Sequence, residues 1–248
     1  MAYVLAAVAF LAILVAGWLF RQFSEGTRDS DLQKMARHLA MDFRRGLVED
    51  LRLALPRFRV ISNAMGKGAD FRAGINTITG SRRGVRLAFF DCDYARVLDD
   101  DTIHNGGCVE ALFDLTFLDP VRGERTVMRR FSAVAVELSF GAQPLVIRPE
   151  RVVDKIAGLI GYEDIDFDSM PEFSRKFYVN GPDRRFAGRI ITSAVARFFM
   201  DRVDCTVDLI GPWMLLYTGR RLSARQAERY LELASELAGL LSREYDAV

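Results

Sequence analysis

The first twenty residues contain the longest apolar run of the chain. Residues 2–20 are 19 consecutive positions without a charged side chain, although 27% of the whole chain is charged. A helix of that length is about 28 Å long, close to the roughly 30 Å hydrocarbon core of a bilayer. Tyr3 and Trp18 lie near its ends, where aromatic side chains favour the membrane interface, and Arg21 follows. The pattern predicts a transmembrane anchor over residues 1–21.

The flanking residues predict how this anchor is used. A cleaved signal peptide is the alternative, but it needs a basic segment before the run and small residues after it. Only Met1 precedes the run, and Trp18 and Phe20 are among the residues that end it. Basic residues from Arg21 to Arg37 lie on the C-terminal side, so the positive-inside rule predicts an external N-terminus and a cytoplasmic main body.

Residues 22–55 are predicted to be a linker and a juxtamembrane amphipathic helix. Ser30 and Gln33 have the spacing of a capping box, and Pro56 ends the pattern. Apolar residues recur at intervals of three and four: Leu32, Met35, Ala36, Leu39, Phe43, Leu47 and Leu51. The other face carries basic side chains mixed with acidic ones. The basic residues are Arg37, Arg44, Arg45 and Arg52. We interpret this face as solvated, with contact to anionic lipid headgroups as the alternative.

Residues 56–149 have the pattern of a β-rich part. β-branched and aromatic residues are concentrated in five segments separated by turn signals: 57–62, 85–97, 109–118, 126–140 and 145–148. Residues 66–84 contain five glycines among basic residues but no Gly-x-x-x-x-Gly-Lys-Ser/Thr element. We interpret them as a basic hairpin loop and predict an antiparallel sheet.

Residues 150–248 alternate between helical and strand patterns. We predict helices over 150–160, from Asp183 through Phe199, and from Ser223 onward, where Ser223 and Gln226 repeat the capping-box spacing. Strands are predicted over 173–179, 204–210 and 213–218. The predicted fold class is α+β: an N-terminal transmembrane helix, an amphipathic helix, then an antiparallel sheet packed with helices. Residues 150–248 form either a separate part or one domain with 56–149.

Composition excludes several classes of function. The formal net charge of +1 argues against nucleic-acid binding, which normally needs a strong basic excess. Cys92, Cys108 and Cys205 are widely spaced and form no CxxC pair, so neither a disulfide framework nor a zinc site is predicted. Free cysteines agree with a cytoplasmic location. His38 and His104 are the two histidines, and no local signature marks a catalytic Cys–His or Ser–His pair.

Asp164, Asp166 and Asp168 are the first candidate site. On an extended chain their carboxylates would project to one side and could bind a divalent metal, while Ile165 and Phe167 point to the other. The segment lacks the glycine and glutamate of an EF-hand loop. We therefore interpret the aspartates as solvated or paired with nearby arginines, and metal binding is the alternative.

Asp91 and Asp93 are the second candidate site. They flank Cys92 on a predicted strand, so both carboxylates share one face and the thiol lies on the other. Paired carboxylates perform acid–base chemistry when their pKa values are separated by burial. The alternative is a solvent-facing pair of carboxylates, with Cys92 directed into the core.

Four segments resemble an uncharacterised bacterial family of membrane-anchored domains: residues 164–181, 89–94, 145–150 and 213–217. The resemblance covers most of residues 56–243 and implies a bacterial inner-membrane setting, without implying any activity or catalytic residue. Three hypotheses follow. The first is a non-enzymatic, single-pass membrane module with a cytoplasmic domain that binds a protein partner or a small ligand and needs no cofactor. The others are a membrane-associated metal-dependent enzyme that uses the aspartates, and a sensor of anionic lipid.

Overall fold

A computed structural model describes residues 15, 26–58, 61–62, 70–98, 116–118, 125–150 and 165–247. Its strands are β1 (Asp42–Arg44), β2 (Asp70–Arg82), β3 (Val85–Leu98), β4 (Thr116–Leu118), β5 (Arg125–Pro149), β6 (Phe177–Asn180) and β7 (Thr206–Tyr217). Its helices are α1 (26–38), α2 (Glu49–Ala54), α3 (Pro171–Lys176), α4 (Arg184–Ile190), α5 (Ser193–Arg202) and α6 (Ala224–Asp246), with a 3₁₀ turn at Leu55–Arg57. The predicted α+β class, an antiparallel sheet packed with helices, is confirmed.

The predicted anchor over residues 1–21, including Tyr3, Trp18 and Arg21, lies outside the described residues except for Val15, which is helical. Among the residues that the structure does describe, no helix is both long enough and apolar enough to cross a membrane.

Strand β5 is the centre of the sheet. The strand order is β1-β2-β3-β5-β4, and β6 and β7 also pair with β5, so strands from both halves of the chain belong to one sheet. β5 is 25 residues long because its two predicted segments are continuous. β7 is likewise one strand across Gly211, whose φ of +56° accompanies the register shift opposite Ala142. A glycine there permits an irregularity in pairing without ending the strand.

Helices or turns cover both faces of the sheet. On one face, which we call the α6 face, Phe89, Val134 and Leu216 pack in the same core as α1, α4, α5 and α6. On the other, the α2 face, Phe90, Phe131 and Leu215 pack against Leu51, Leu55, Phe58 and Ile61. A buried strand with alternating side chains therefore contributes to two separate cores.

The prediction of one helix from Ser30 to Pro56 is wrong. α1 is already helical at Gly26, it ends at His38, and Ala40 has a positive φ of 53°. Phe43 then pairs with Ile78 as part of edge strand β1. The apolar stripe is divided, since Leu32 to Phe43 pack on the α6 face and Leu47 and Leu51 on the α2 face. The chain crosses the edge of the sheet here, and pairing with β2 overrides the helical period.

Other element boundaries also differ from the predictions. Most of the glycine-rich stretch read as a hairpin loop is strand β2, and the turn is confined to Arg83 and Gly84. The described residues of the strand predicted over 57–62 are not in a strand, because a 3₁₀ turn ends at Arg57 and residues 61–62 are helical. The strand predicted over 173–179 is helix α3 followed by β6. The helix predicted over 150–160 lies outside the described residues.

The last helix agrees with the sequence in both its start and its buried face. Ser223 accepts from the backbone N–H of Gln226, and the Gln226 side chain accepts from the backbone N–H of Ser223, which completes the capping box. The seven residues predicted to face inward are all buried: Ala227, Tyr230, Leu231, Ala234, Leu237, Ala238 and Leu241.

Candidate functional site

Asp91 lies in a buried polar cluster near the middle of strand β3. Asp91 of β3 stands directly opposite Ser132 of β5, and both residues are fully buried. Asn76 of β2 is also buried, in a stretch where the pairing of β2 with β3 is irregular. Arg28 of α1 contacts Asp91 and Ser132. We call these four residues the Asp91 cluster.

Both carboxylate oxygens of Asp91 are bonded within the cluster. The Nη2 atom of Arg28 donates to Oδ1 at 2.7 Å and to Oδ2 at 3.0 Å. Ser132 Oγ donates to Oδ1 at 2.6 Å, and Asn76 Nδ2 lies 3.3 Å from Oδ2. A buried carboxylate is stable only when its charge and lone pairs are satisfied in this way. Asp91 is therefore engaged as an ion-pair partner.

The cluster connects distant parts of the chain. Ser132 Oγ accepts from the backbone N–H of Leu222 at 3.0 Å, and Arg28 Nη1 donates to the carbonyl of Leu222. Asn76 Nδ2 donates to Asp29 Oδ1 at 2.8 Å, and Asp29 pairs with Arg45 at 3.1 Å. Helix α1, three central strands and the residues before α6 consequently meet at one point.

Asp93 shares the face of Asp91 and has different partners. Its carboxylate lies 3.4 Å from both Arg130 Nε and Arg221 Nη2, and its side chain is 16% exposed. Cys92 lies on the opposite face in the α2-face core, as the alternation predicted. Burial, followed by the charges of Asp91 and Asp93, raises the pKa of the Cys92 thiol well above its ordinary value. This thiol is therefore protonated at neutral pH and unsuited to nucleophilic attack.

The candidates at 164–168 are not brought to the Asp91 cluster. Asp164 lies outside the described residues, and Asp166 and Asp168 are exposed. Ile165 is buried and Phe167 packs beside it, as expected of an extended segment whose apolar residues face the core. Among the described residues, no three His, Cys, Asp or Glu side chains form a group that could hold a metal ion. The metal role of these aspartates and of Asp91 and Asp93 stays a prediction.

The other thiol and histidine candidates do not belong to the Asp91 cluster either. His38 is exposed at the end of α1, and His104 and Cys108 lie outside the described residues. Burial, with a contribution from Asp204, raises the pKa of the Cys205 thiol to about 12.

Sequence reasoning missed Arg28 as the partner of Asp91. The two residues are 63 positions apart, and Arg28 belongs to a segment that the sequence predicted only as a polar linker. The one available signal was a carboxylate on a strand with no neighbouring residue to neutralise it.

Comparison with known proteins identifies the fold. No model of a protein family matches the chain, and no curated protein matches it. Among solved structures, the chain is similar to the mycobacterial trehalose monomycolate transport factor A, TtfA. The TM-score is 0.54 at 14% sequence identity, and the match covers 86% of this chain and 94% of TtfA. At this identity the likeness extends to the fold, and function must be argued from the residues.

Proposed function

We propose that this protein is a membrane-tethered α+β module that acts by binding a protein partner. The Asp91 cluster carries the proposal, because it joins α1, the helix that follows the predicted anchor, to the centre of the sheet. A carboxylate whose oxygens are bonded to Arg28, Ser132 and Asn76 serves as a structural connection between these elements. In this arrangement α1 and the sheet move together.

The chain length between the anchor and the cluster supports a close approach to the membrane. Arg28 lies eight positions after Phe20. That separation spans about 12 Å as a helix and at most about 29 Å when fully extended. The Asp91 cluster therefore lies within that distance of the bilayer surface, with the N-terminus outside and the domain in the cytoplasm of a bacterium.

The similarity to TtfA supports a role as an accessory factor. TtfA is named as a transport factor for trehalose monomycolate. By fold-level analogy, this chain would assist a membrane transport process by contacting another protein of that process. The analogy supports the class of role and leaves the transported substance open.

Membrane fractionation tests the tether. The full chain should resist extraction with alkaline carbonate, whereas a variant lacking residues 2–20 should be recovered in the soluble fraction. The deletion should retain the thermal melting transition of the domain, since the Asp91 cluster does not include the deleted residues. Extraction of the full chain with carbonate would contradict the proposal.

Thermal melting with divalent metals separates this function from the enzyme alternative. We expect the melting temperature of the full chain in detergent to be the same with a chelator as with a panel of divalent cations. A saturable rise that disappears in Asp166→Asn, but persists in the control Asp201→Asn on α5, would instead favour metal binding at residues 164–168. Asp201 is a suitable control because it is an exposed acid outside that segment.

A further inference from the structure

A cleft of about 250 Å³ lies at the end of α6 that is remote from the Asp91 cluster. Its lining includes Gly141, Gln143, Asp183, Arg185, Arg189 and Tyr245, and we call it the distal cleft. The rise of α6 from its cap at Ser223 to Tyr245 is about 33 Å. Because Leu222 contacts the Asp91 cluster, the distal cleft lies at the other end of α6 from Arg28, which is eight positions after Phe20 of the predicted anchor.

An aromatic stack holds Arg189 in this cleft. The guanidinium carbon of Arg189 lies 4.3 Å from the centre of the Tyr245 ring. Tyr245 in turn stacks on Phe140, with 4.2 Å between ring centres and 11° between the planes. Stacking restricts the orientation of the planar guanidinium, so less conformational entropy is lost when its fork binds a ligand.

The Arg189 guanidinium has no partner among the described residues other than this ring. Its Nε atom is buried without a hydrogen-bond acceptor, and no described side chain forms an ion pair with it. The nearby carboxylate of Asp183 is already engaged, since Oδ1 accepts from the backbone N–H groups of Arg185 and Phe186 at 2.9 Å. The terminal nitrogens of Arg189 also have no acceptor among the described residues, unlike those of Arg28, and such donors in the lining of a cleft are available to a ligand.

A second cleft of similar volume, on the α2 face, provides a comparison. Its lining includes Arg86, but Arg86 pairs with Glu137 at 2.9 Å. The distal cleft is thus distinguished by its unpaired cations and not by its size.

We infer that the distal cleft binds a carboxylate of an acidic peptide segment, with Arg189 as the bidentate donor and Arg185 as a second cation. Two arginines and one aspartate leave the lining with a formal charge of +1. One carboxylate neutralises that charge, whereas a doubly charged phosphate would exceed it. The position remote from Arg28, where the chain follows the predicted anchor, favours a protein segment over a lipid headgroup. The inference rests on the proposed function, because it assigns a recognition chemistry to the partner.

Fluorescence anisotropy with a defined peptide tests the inference. The full chain in detergent micelles is titrated into a fluorescent peptide of three Gly-Glu repeats, and a Gly-Gln peptide serves as the matched ligand control. We expect saturable binding of the glutamate peptide only. Arg189→Gln should weaken that binding at least tenfold, and Arg189→Lys should have an intermediate effect because it keeps the charge but loses the fork.

Arg197→Gln is the protein control. Arg197 is exposed on α5 and does not line the cleft, so this variant removes the same charge and should bind like wild type. Equal weakening in Arg197→Gln and Arg189→Gln would overturn the inference, as would the absence of binding by wild type. Displacement of the peptide by inorganic phosphate at lower concentration than by acetate would also overturn it. Carbonate extraction does not depend on Arg189, so failure of the tether is measured separately.

Discussion

Arg28 and Arg189 lie at opposite ends of the domain and are partnered in opposite ways. The side chain of Arg28 is 15% exposed, and its Nη groups bond to Asp91 and to the carbonyl of Leu222. Arg189 is also partly buried, but its guanidinium contacts only an aromatic ring within the described part of the chain. The Nε atoms of both residues lack acceptors, so the difference lies in their terminal nitrogens.

This difference assigns a structural role to Arg28 and a binding role to Arg189. A buried charge that is bonded to a buried counter-charge stabilises the fold, and changing it should alter stability before anything else. A charge that is oriented but left without a counter-charge contributes little to stability, and changing it should alter binding. The role of Arg28 is therefore tested by stability measurements, and the role of Arg189 is tested separately by binding measurements.

The largest effect on stability is expected at the Asp91 cluster. Asp91→Asn leaves the guanidinium of Arg28 buried without its counter-charge and should lower the free energy of unfolding by about 3 kcal/mol. Thermal and urea unfolding of the full chain in detergent would measure this loss. The double variant Arg28→Met with Asp91→Asn removes both charges and should be more stable than Asp91→Asn alone. If the double variant is no more stable, the ion pair is not what holds α1 to the sheet.

A smaller effect on stability is expected at the distal cleft. Arg189→Gln removes the contact with the Tyr245 ring and should cost about 0.5–1 kcal/mol, measured by the same unfolding experiments. A loss as large as that of Asp91→Asn would assign Arg189 to the fold and remove the contrast between the two ends.

The smallest effect is expected for the partly exposed ion pairs of Glu232 on α6. Glu232 of α6 pairs with Arg83 at 2.5 Å and with Arg82 at 3.0 Å. Its hydrogen bond with Arg83 lowers the pKa of this carboxyl below its ordinary value of 4.5, against the opposing effect of burial. The pKa is lower in the folded than in the unfolded state, so the stabilisation is present at neutral pH. It is lost as the pH falls below about 4.5.

Glu232→Gln should therefore cost less than about 1 kcal/mol at pH 7 and progressively less as the pH falls below 4.5. Melting temperatures of wild type and variant across this range would measure the difference, with Glu228→Gln on the same helix as control. A difference that stays constant from neutral to acid pH would show that the carboxylate charge of Glu232 is not responsible.

Short-range patterns predicted part of the fold well. Strand β3 was recognised from its β-branched and aromatic residues, and α6 from its capping box and inward-facing stripe. These signals lie within a few residues of one another, where hydrogen bonding and side-chain periodicity act locally. Strand β2 was missed because its glycines and polar residues have no strand pattern of their own, and pairing with β3 stabilises them.

The amphipathic stripe after Ser30 shows why a correct pattern led to a wrong element. Leu32, Phe43 and Leu51 do become buried or partly buried, as a helical stripe predicts. They reach two different cores because the chain crosses the edge of the sheet at β1. Apolar spacing indicates which residues are buried, but it does not indicate which surface buries them.

The sequence by itself determined the α+β class, the carboxylates that flank Cys92 on one strand face, and the capped start of α6. Each of these depends on neighbouring residues, whose backbone geometry sets the direction of their side chains. Only the tertiary structure decided that Asp91 is neutralised by Arg28, 63 positions away, while Arg189 stacks on Tyr245 and has no counter-charge among the described residues. The pairing of a charge depends on which distant elements pack together. That packing is set by the register of β5 with its neighbours and by the placement of helices on the two faces.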